Sequence, residues 1–219
     1  MDMNQLTRIF CQVDDFCKEF NQYSQNKLLP SSTGNGHRRG PKCCLSDSEI
    51  MTILIFFQSS GWRNFKHFYI QFLDVYWKKE FPHLPSYNRF IEIMDRVVIH
   101  LVLFSQLNTG KRTGIYFIDS TCLPACHLKR SKRHKTFDEI AKYGRTSVGW
   151  FFGLKRHIVI NQRGELIAFK VTRGHVNDAK ASESILKFLQ GIAFGDKGYI
   201  SKKLFSTLLE KGLKLITRS

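Results

Sequence analysis

The hydrophobic period of this chain changes once, near Gly110, and that change constrains the fold more than any other feature. Before it, apolar residues recur at helical spacing. Leu6, Ile9, Phe10, Val13, Phe16, Cys17 and Phe20 predict a helix from residue 4 to about residue 28. The Ser-, Gly- and Pro-rich stretch Pro30–Lys42, with His37, Arg38 and Arg39, reads as a linker or basic loop. Ser46 with Glu49, and Leu45 with Ile50, spell a capping box with a hydrophobic staple, opening a helix that stops at Ser59 or Ser60 before Gly61. A third helix is expected over Asn64–Lys79 and is broken by Phe81-Pro82-His83-Leu84-Pro85. Ser86 caps a fourth, with Phe90, Ile91, Met94, Val97, Val98, Leu101 and Leu103 on or near its buried side.

After Gly110 the pattern is that of strands. Ile115–Ile118 is a short buried run that ends at Asp119. Residues 151–160 read as extended, Asn161–Gly164 as a turn, and 165–172 alternate, so the two segments predict a hairpin. Asn177 or Asp178 caps a helix through Ala181, Ile185, Phe188 and Leu189. Ile192–Phe194 is a strand ending at Gly195-Asp196. Ser201 opens a helix through Leu204, Phe205, Leu208 and Leu209 that stops at Gly212, and Leu213–Ile216 is the last strand. The order strand, hairpin, helix, strand, helix, strand resembles the ribonuclease H-like α/β fold, a mixed sheet, without its final helix. The expected division is a helical domain over 1–110 and a ribonuclease H-like domain over 111–219.

The 34 Lys and Arg against 18 Asp and Glu give a net charge of +16, which favours a polyanionic partner, either nucleic acid or an acidic membrane. Membrane spanning is not expected, because no uncharged apolar run approaches the length of about 18 residues that a spanning helix needs. The N-terminus, with Asp2, Asp14 and Asp15, lacks a basic-then-apolar leader pattern, so the expected location is the cytoplasm. There the six cysteines stay reduced.

Two buried runs that each lead into an aspartate, Asp119 and Asp196, invite a common explanation. Hard divalent cations such as Mg²⁺ take oxygen ligands and retain waters, so two or three carboxylates suffice. Two such ions about 3.5–4 Å apart can clamp the attacking and leaving oxygens of a phosphodiester displacement. The bland alternative is that both are strand-end or cap residues. Just after Asp119 comes a basic run containing Lys129, Arg130, Lys132, Arg133 and Lys135, suited to DNA phosphates, with Lys142, Arg145, Lys155 and Arg156 extending the same surface. Trp150 and Phe151 read as core rather than base-stacking residues, and Asp178 as a helix cap rather than a ligand. Lys197 either holds a phosphate or balances Asp196. Cys122, Cys126, His127 and His134 lack the second compact pair of a zinc site.

Phe117-Ile118-Asp119-Ser120-Thr121 and Phe194-Gly195-Asp196-Lys197-Gly198-Tyr199 resemble the first and second acidic motifs of bacterial insertion-sequence DDE transposases. Thr172-Arg173-Gly174-His175-Val176-Asn177-Asp178 is similar to the turn between them, and Leu215–Ser219 to the strand that follows. The helical half looks most like the insertion sequence nine-eighty-two group. The resemblance implies metal-dependent cleavage and transfer of DNA strands at insertion-sequence ends. Asp119 and Asp196 would hold Mg²⁺ or Mn²⁺, and Lys129, Arg130, Lys132, Arg133, Lys135 and Lys197 would contact DNA. The implied partners are double-stranded DNA (terminal inverted repeats and target) and further copies of the chain in a homo-oligomer, with the helical half binding the element ends. It also implies a third acid on a helix beyond Ser219, so the chain reads as a C-terminally truncated copy. Two alternatives stay open: a catalytically dead DNA-binding remnant, and a ribonuclease H-like nuclease without strand transfer.

Overall fold

The computed structural model describes residues 3–26, 45–137 and 139–217; the expected linker Pro30–Lys42 lies outside them, as do Arg218 and Ser219. The chain divides into two compact units, Met1–Leu107 and Asn108–Ser219.

The described part of the first unit is helical. α1 (Met3–Asn26) lies against α2 (Asp47–Ser59), where the Ser48 hydroxyl donates to Asp14 at 2.7 Å. The α2 capping box is present as expected: Ser46 accepts from the Glu49 amide and the Glu49 carboxylate accepts from the Ser46 amide. Gly61, at φ 77°, follows the helix end. The third helix is shorter than predicted and changes type along its length. A single turn, α3 (Phe65–His67), runs into a π-helical segment (Phe68–Leu73) and then α4 (Asp74–Tyr76). The wider π turn brings Phe68, Tyr69 and Leu73 inward together, all buried. Tyr69 then donates its hydroxyl to Pro85 at 2.6 Å and fixes the following loop.

Ser86 caps α5 (Tyr87–Ile93), a 3₁₀ turn follows over Met94–Val97, and α6 (Val98–Leu107) completes the unit. The structure corrects the predicted stripe. Phe90, Ile93 and Val97 are buried, whereas Ile91 and Val98, each one position further round the helix than Phe90 and Val97, face outward.

The second unit is a six-stranded mixed sheet. Its elements are β1 (Ile115–Cys126), β2 (Lys142–Thr146), β3 (Gly149–Asn161), β4 (Leu166–Arg173), α7 (Asp178–Leu186), β5 (Gly191–Gly195), α8 (Lys202–Glu210) and β6 (Leu213–Thr217). Across the sheet, β6, β5 and β1 run parallel, β3 returns antiparallel to β1, and β2 and β4 share the far edge of β3. β4 covers residues 154–160 of β3 and β2 covers residues 149–153. The parallel pair β5–β6 requires the crossover that α8 provides. This strand order, behind a helical N-terminal region, is the expected mixed α/β arrangement of a ribonuclease H-like sheet.

The structure departs from the sequence reading at four points here. β2 was not anticipated. Phe188 lies beyond the end of α7 and is 66% exposed. Trp150 is also exposed rather than core, with the Arg145 guanidinium 6.0 Å from its ring, because it occupies the outward position beside the β2–β3 turn. Finally, β1 does not stop at Asp119 but runs seven residues further, paired only to β3.

Tyr116, Ile118, Val159, Ala193, Leu213 and Leu215 on one sheet face pack with Ile185, Leu186, Leu204 and Leu208 of the helices into the core. On the opposite face Ile115, Phe117, Phe194 and Ile216 remain partly exposed. Among the described residues, no helix is long and apolar enough to cross a membrane.

Candidate active site

The parallel register of β1 and β5 sets the site. Ile115 pairs with Ile192 and Phe117 with Phe194, after which β5 ends. The Phe117 and Phe194 rings stack at 5.5 Å. Asp119 and Asp196 each lie two residues beyond a stacked phenylalanine: Asp119 within β1 on the face of Phe117, and Asp196 just past the end of β5. Both are exposed. Asp119 thus stands where β1 loses its parallel neighbour and its edge opens, and Asp196 stands at the turn that replaces that neighbour.

Each carboxylate is held locally. Asp119 Oδ1 accepts from the Ser120 amide at 2.8 Å, and Asp196 Oδ1 accepts from the Gly198 amide at 2.9 Å. The latter bond caps the 3₁₀ turn Lys197–Tyr199. Gly198 leaves room at this point: a Cβ there would sit 3.1 Å from Asp196 Oδ1 and 3.2 Å from Asp178 Oδ2, a tight fit between two side-chain ends. The Asp178 carboxylate therefore borders the same small volume as Asp196.

Asp178 is not the helix cap expected from the sequence. Asn177 takes that role, accepting from the Ala179 amide, and Asp178 is the first helical residue of α7. Its Oδ1 ion-pairs with Lys155 at 3.1 Å, while Lys155 also donates to the Val176 carbonyl at 3.1 Å. Lys155 is only 8% exposed, which removes it from the predicted DNA-facing surface. Its neighbour two residues on, His157, is fully buried and bonded through Nε2 to Thr172 at 2.9 Å. The strand pattern carried a signal for both: Lys155 and His157 share the alternation of Val159, a core position.

Tyr199 lies under this group. It is fully buried, and its hydroxyl has no hydrogen-bond partner. Burial pushes its phenol well above the ordinary value, and the charges of Asp178, Asp119 and Asp196 push the same way. The Ser120 hydroxyl opposes that rise, and counts for more than any one of the three carboxylates. All three carboxylates are thus electrostatic neighbours of one buried oxygen. Exposed carboxylate oxygens such as those of Asp119 and Asp196 are the donors a hard divalent cation takes. Among the described residues, however, no His, Cys, Asp and Glu group of three or more is placed to hold a metal ion.

His157 yields a pH prediction. Burial holds it below its ordinary 6.5, outweighing Asp178, which raises it; Lys155 and Lys170 lower it further. The unfolded chain takes up a proton near pH 6.5 and the folded unit resists it. The stabilisation is complete above about pH 6.5 and is lost as pH falls from there toward the folded-state value. Urea midpoints of the second unit should drop between pH 8 and pH 5.5. His157→Gln should flatten that drop, and an unchanged profile would count against a neutral buried imidazole.

The predicted basic residues Lys129, Arg130, Lys132, Arg133 and Lys135 are all exposed on or beside the 3₁₀ turn Leu128–Arg133. Ser131 is buried at its centre, bonded to the Tyr143 hydroxyl at 2.6 Å, and anchors the turn to β2. Lys197 is exposed next to Asp196.

Residues 109–219 match the family model described as Transposase DDE domain. No curated protein matches the chain. Among solved structures, a piggyBac transposase synaptic complex with hairpin DNA is similar at 14% identity and a TM-score of 0.46, covering 97% of this chain and 48% of that one. The Mos1 mariner paired-end complex with Mn is similar at 14% identity and a TM-score of 0.31, covering 93% and 67%. The chain spans about half the length of the piggyBac chain it matches. With half of its length matched to that family model, the chain belongs to the DDE transposase family.

Proposed function

We propose that this protein is a transposase of insertion-sequence type, related to the insertion sequence nine-eighty-two group, that cleaves and transfers DNA strands at the ends of its element. The observation that carries this reading is that Asp119 and Asp196 each follow by two residues the last residues paired between β1 and β5, Phe117 and Phe194. In this reading Asp119 and Asp196 hold Mg²⁺ or Mn²⁺. Bound there, the cation supplies the positive charge that acidifies an attacking water or 3′-hydroxyl and offsets the charge on the leaving oxygen. The chain's own residues do the rest. The backbone of β1 and the capped 3₁₀ turn after β5 fix the two carboxylates. Lys197 reaches a phosphate beside Asp196. Lys129, Arg130, Lys132, Arg133 and Lys135 grip the DNA backbone without reading its sequence. The helical unit binds the element ends, and two copies of the protein hold two ends together.

The test uses a duplex carrying one element end with its flanking DNA. With Mg²⁺ or Mn²⁺ present, the protein should nick at the end and join the freed 3′-hydroxyl to a second duplex. Nicking without joining would favour a nuclease, and binding without nicking would favour a DNA-binding remnant. DNA affinity should fall steeply with salt, with a log–log slope of roughly 0.9 per phosphate neutralised. Replacing Lys129, Arg130, Lys132, Arg133 and Lys135 together by Ala should flatten that slope by up to about 4. An unchanged slope would remove the 128–135 turn from the interface.

A further inference from the structure

Lys155 is a cation on the core face of a sheet, and the reaction as described above gives it no role. A buried ammonium costs several kcal/mol unless it is paired and hydrogen bonded. Here both conditions are met by one segment, through the Val176 carbonyl and Asp178 Oδ1, each at 3.1 Å. That choice has a geometric consequence. With Oδ1 committed to Lys155, the other oxygen of Asp178 faces the position a Cβ on Gly198 would take, 3.2 Å from it, and Asp196 Oδ1 lies 3.1 Å from that same position. Gly198 also donates the amide that holds Asp196, so one residue is touched by both carboxylates.

Two further groups around this arrangement are buried and unpartnered. The Tyr199 hydroxyl has no hydrogen-bond partner and feels the charges of Asp178, Asp119 and Asp196. His157 Nδ1 is likewise without a partner, 4.0 Å from Asp178 Oδ1, too far for a hydrogen bond. Asp178 and Asp196 both border the space beside Gly198, and the one buried cation there, Lys155, pairs with Asp178 alone.

We propose that Lys155 and Asp178 are positioning residues for the cation site of Asp119 and Asp196. Lys155 fixes Asp178 so that its free oxygen borders Gly198, limits the Asp196 carboxylate to the orientation that accepts from the Gly198 amide, and adds negative charge at the edge of the site. The inference rests on the reading of Asp119 and Asp196 as cation ligands. It assigns a reason for a buried lysine on β3 and for the Asn177-Asp178 order at the start of α7, in which the first residue caps and the second faces the site.

The test measures Mn²⁺ binding by the whole chain, from the electron paramagnetic resonance signal of free Mn²⁺, alongside thermal melting in EDTA. Asp178→Asn alone leaves Lys155 buried without its counter-charge and is open to misfolding, so the informative variant is Lys155→Met with Asp178→Asn, which removes both charges together. This double variant should melt cooperatively but bind Mn²⁺ on the order of 10–100-fold more weakly, the usual effect of losing an outer partner of a metal ligand. A cooperatively folded double variant with the parent affinity overturns the proposal, since a purely structural pair would leave Mn²⁺ affinity unmoved. Asp196→Asn separates the two claims. If it abolishes Mn²⁺ binding while the double variant does not weaken it, only the positioning role fails. If Asp196→Asn leaves binding intact, or the parent chain binds no Mn²⁺, the ligand assignment fails, and the positioning role with it.

Discussion

Asp119→Asn should reduce Mg²⁺- or Mn²⁺-dependent DNA strand cleavage by about 10³-fold, equivalent to roughly 4 kcal/mol of transition-state stabilisation, while leaving the melting midpoint in EDTA almost unchanged. The contrast follows from the position of the residue. Asp119 is exposed, and its one recorded hydrogen bond is to the adjacent Ser120 amide, which an asparagine oxygen can also accept. Exposed substitutions away from caps and cores generally move stability by no more than about 0.5 kcal/mol. A role as an ordinary strand residue predicts small effects in both measurements. A role as cation ligand predicts a large effect in one alone. Cleavage retained within a few-fold by Asp119→Asn would detach β1 from the chemistry and leave the basic turn as a DNA-binding feature only.

The parts of the site legible in the sequence are those encoded locally. The apolar runs before Asp119 (four residues) and before Gly195-Asp196 (three), the Ser46 capping box and the glycine stops at Gly61 and Gly212 all act within a few residues, and each appears where the sequence implied. The separate strands β1, β5 and β6 were legible for the same reason, and the fold class followed from their order. What failed depends on pairing between distant segments. Asp119 looked like a strand end because the apolar run stops there. Yet β1 continues, since its β3 partner extends past the point where β5 leaves, and only the partner's length reveals that. Lys155 looked like part of a basic surface beside Arg156. Its alternation with His157 and Val159 pointed inward, but a charged residue on a core face is credible only once its counter-charge is known. That counter-charge, Asp178, is 23 residues away on α7. Trp150 failed in the opposite sense: β2, which makes its strand an inner one at that point, carries too few apolar residues to be recognised. The winding of the first unit was equally hidden, because nothing in the pattern marks Phe68–Leu73 as π-helical or Met94–Val97 as 3₁₀.

Phe68→Ala should destabilise the first unit by about 3–5 kcal/mol, the usual range for deleting a fully buried aromatic side chain. Phe68 is 0% exposed and opens the π-helical segment. Its ring has Phe72 at 5.6 Å, Phe57 at 5.3 Å, Phe65 at 6.1 Å, Phe56 at 6.3 Å and Trp62 at 6.5 Å. These partners come from α2, from the Gly61–Asn64 connection and from both sides of the π turn, so no single backbone shift can close the cavity that alanine leaves. Poor collapse places the cost toward the upper end of the range. For a unit of about a hundred residues, each kcal/mol lowers the midpoint by roughly 4–8 °C, so the transition should fall by about 15 °C or more. Against a typical total of 5–15 kcal/mol, that is enough to populate unfolded helices at moderate temperature. Val75→Ala is the control. Val75 lies on the same helical stretch but is 63% exposed, and its midpoint should move by only a few degrees. Equal, small shifts for Phe68→Ala and Val75→Ala would mean that the aromatic cluster is loosely packed, and that the π turn is held by its backbone rather than by the rings it turns inward.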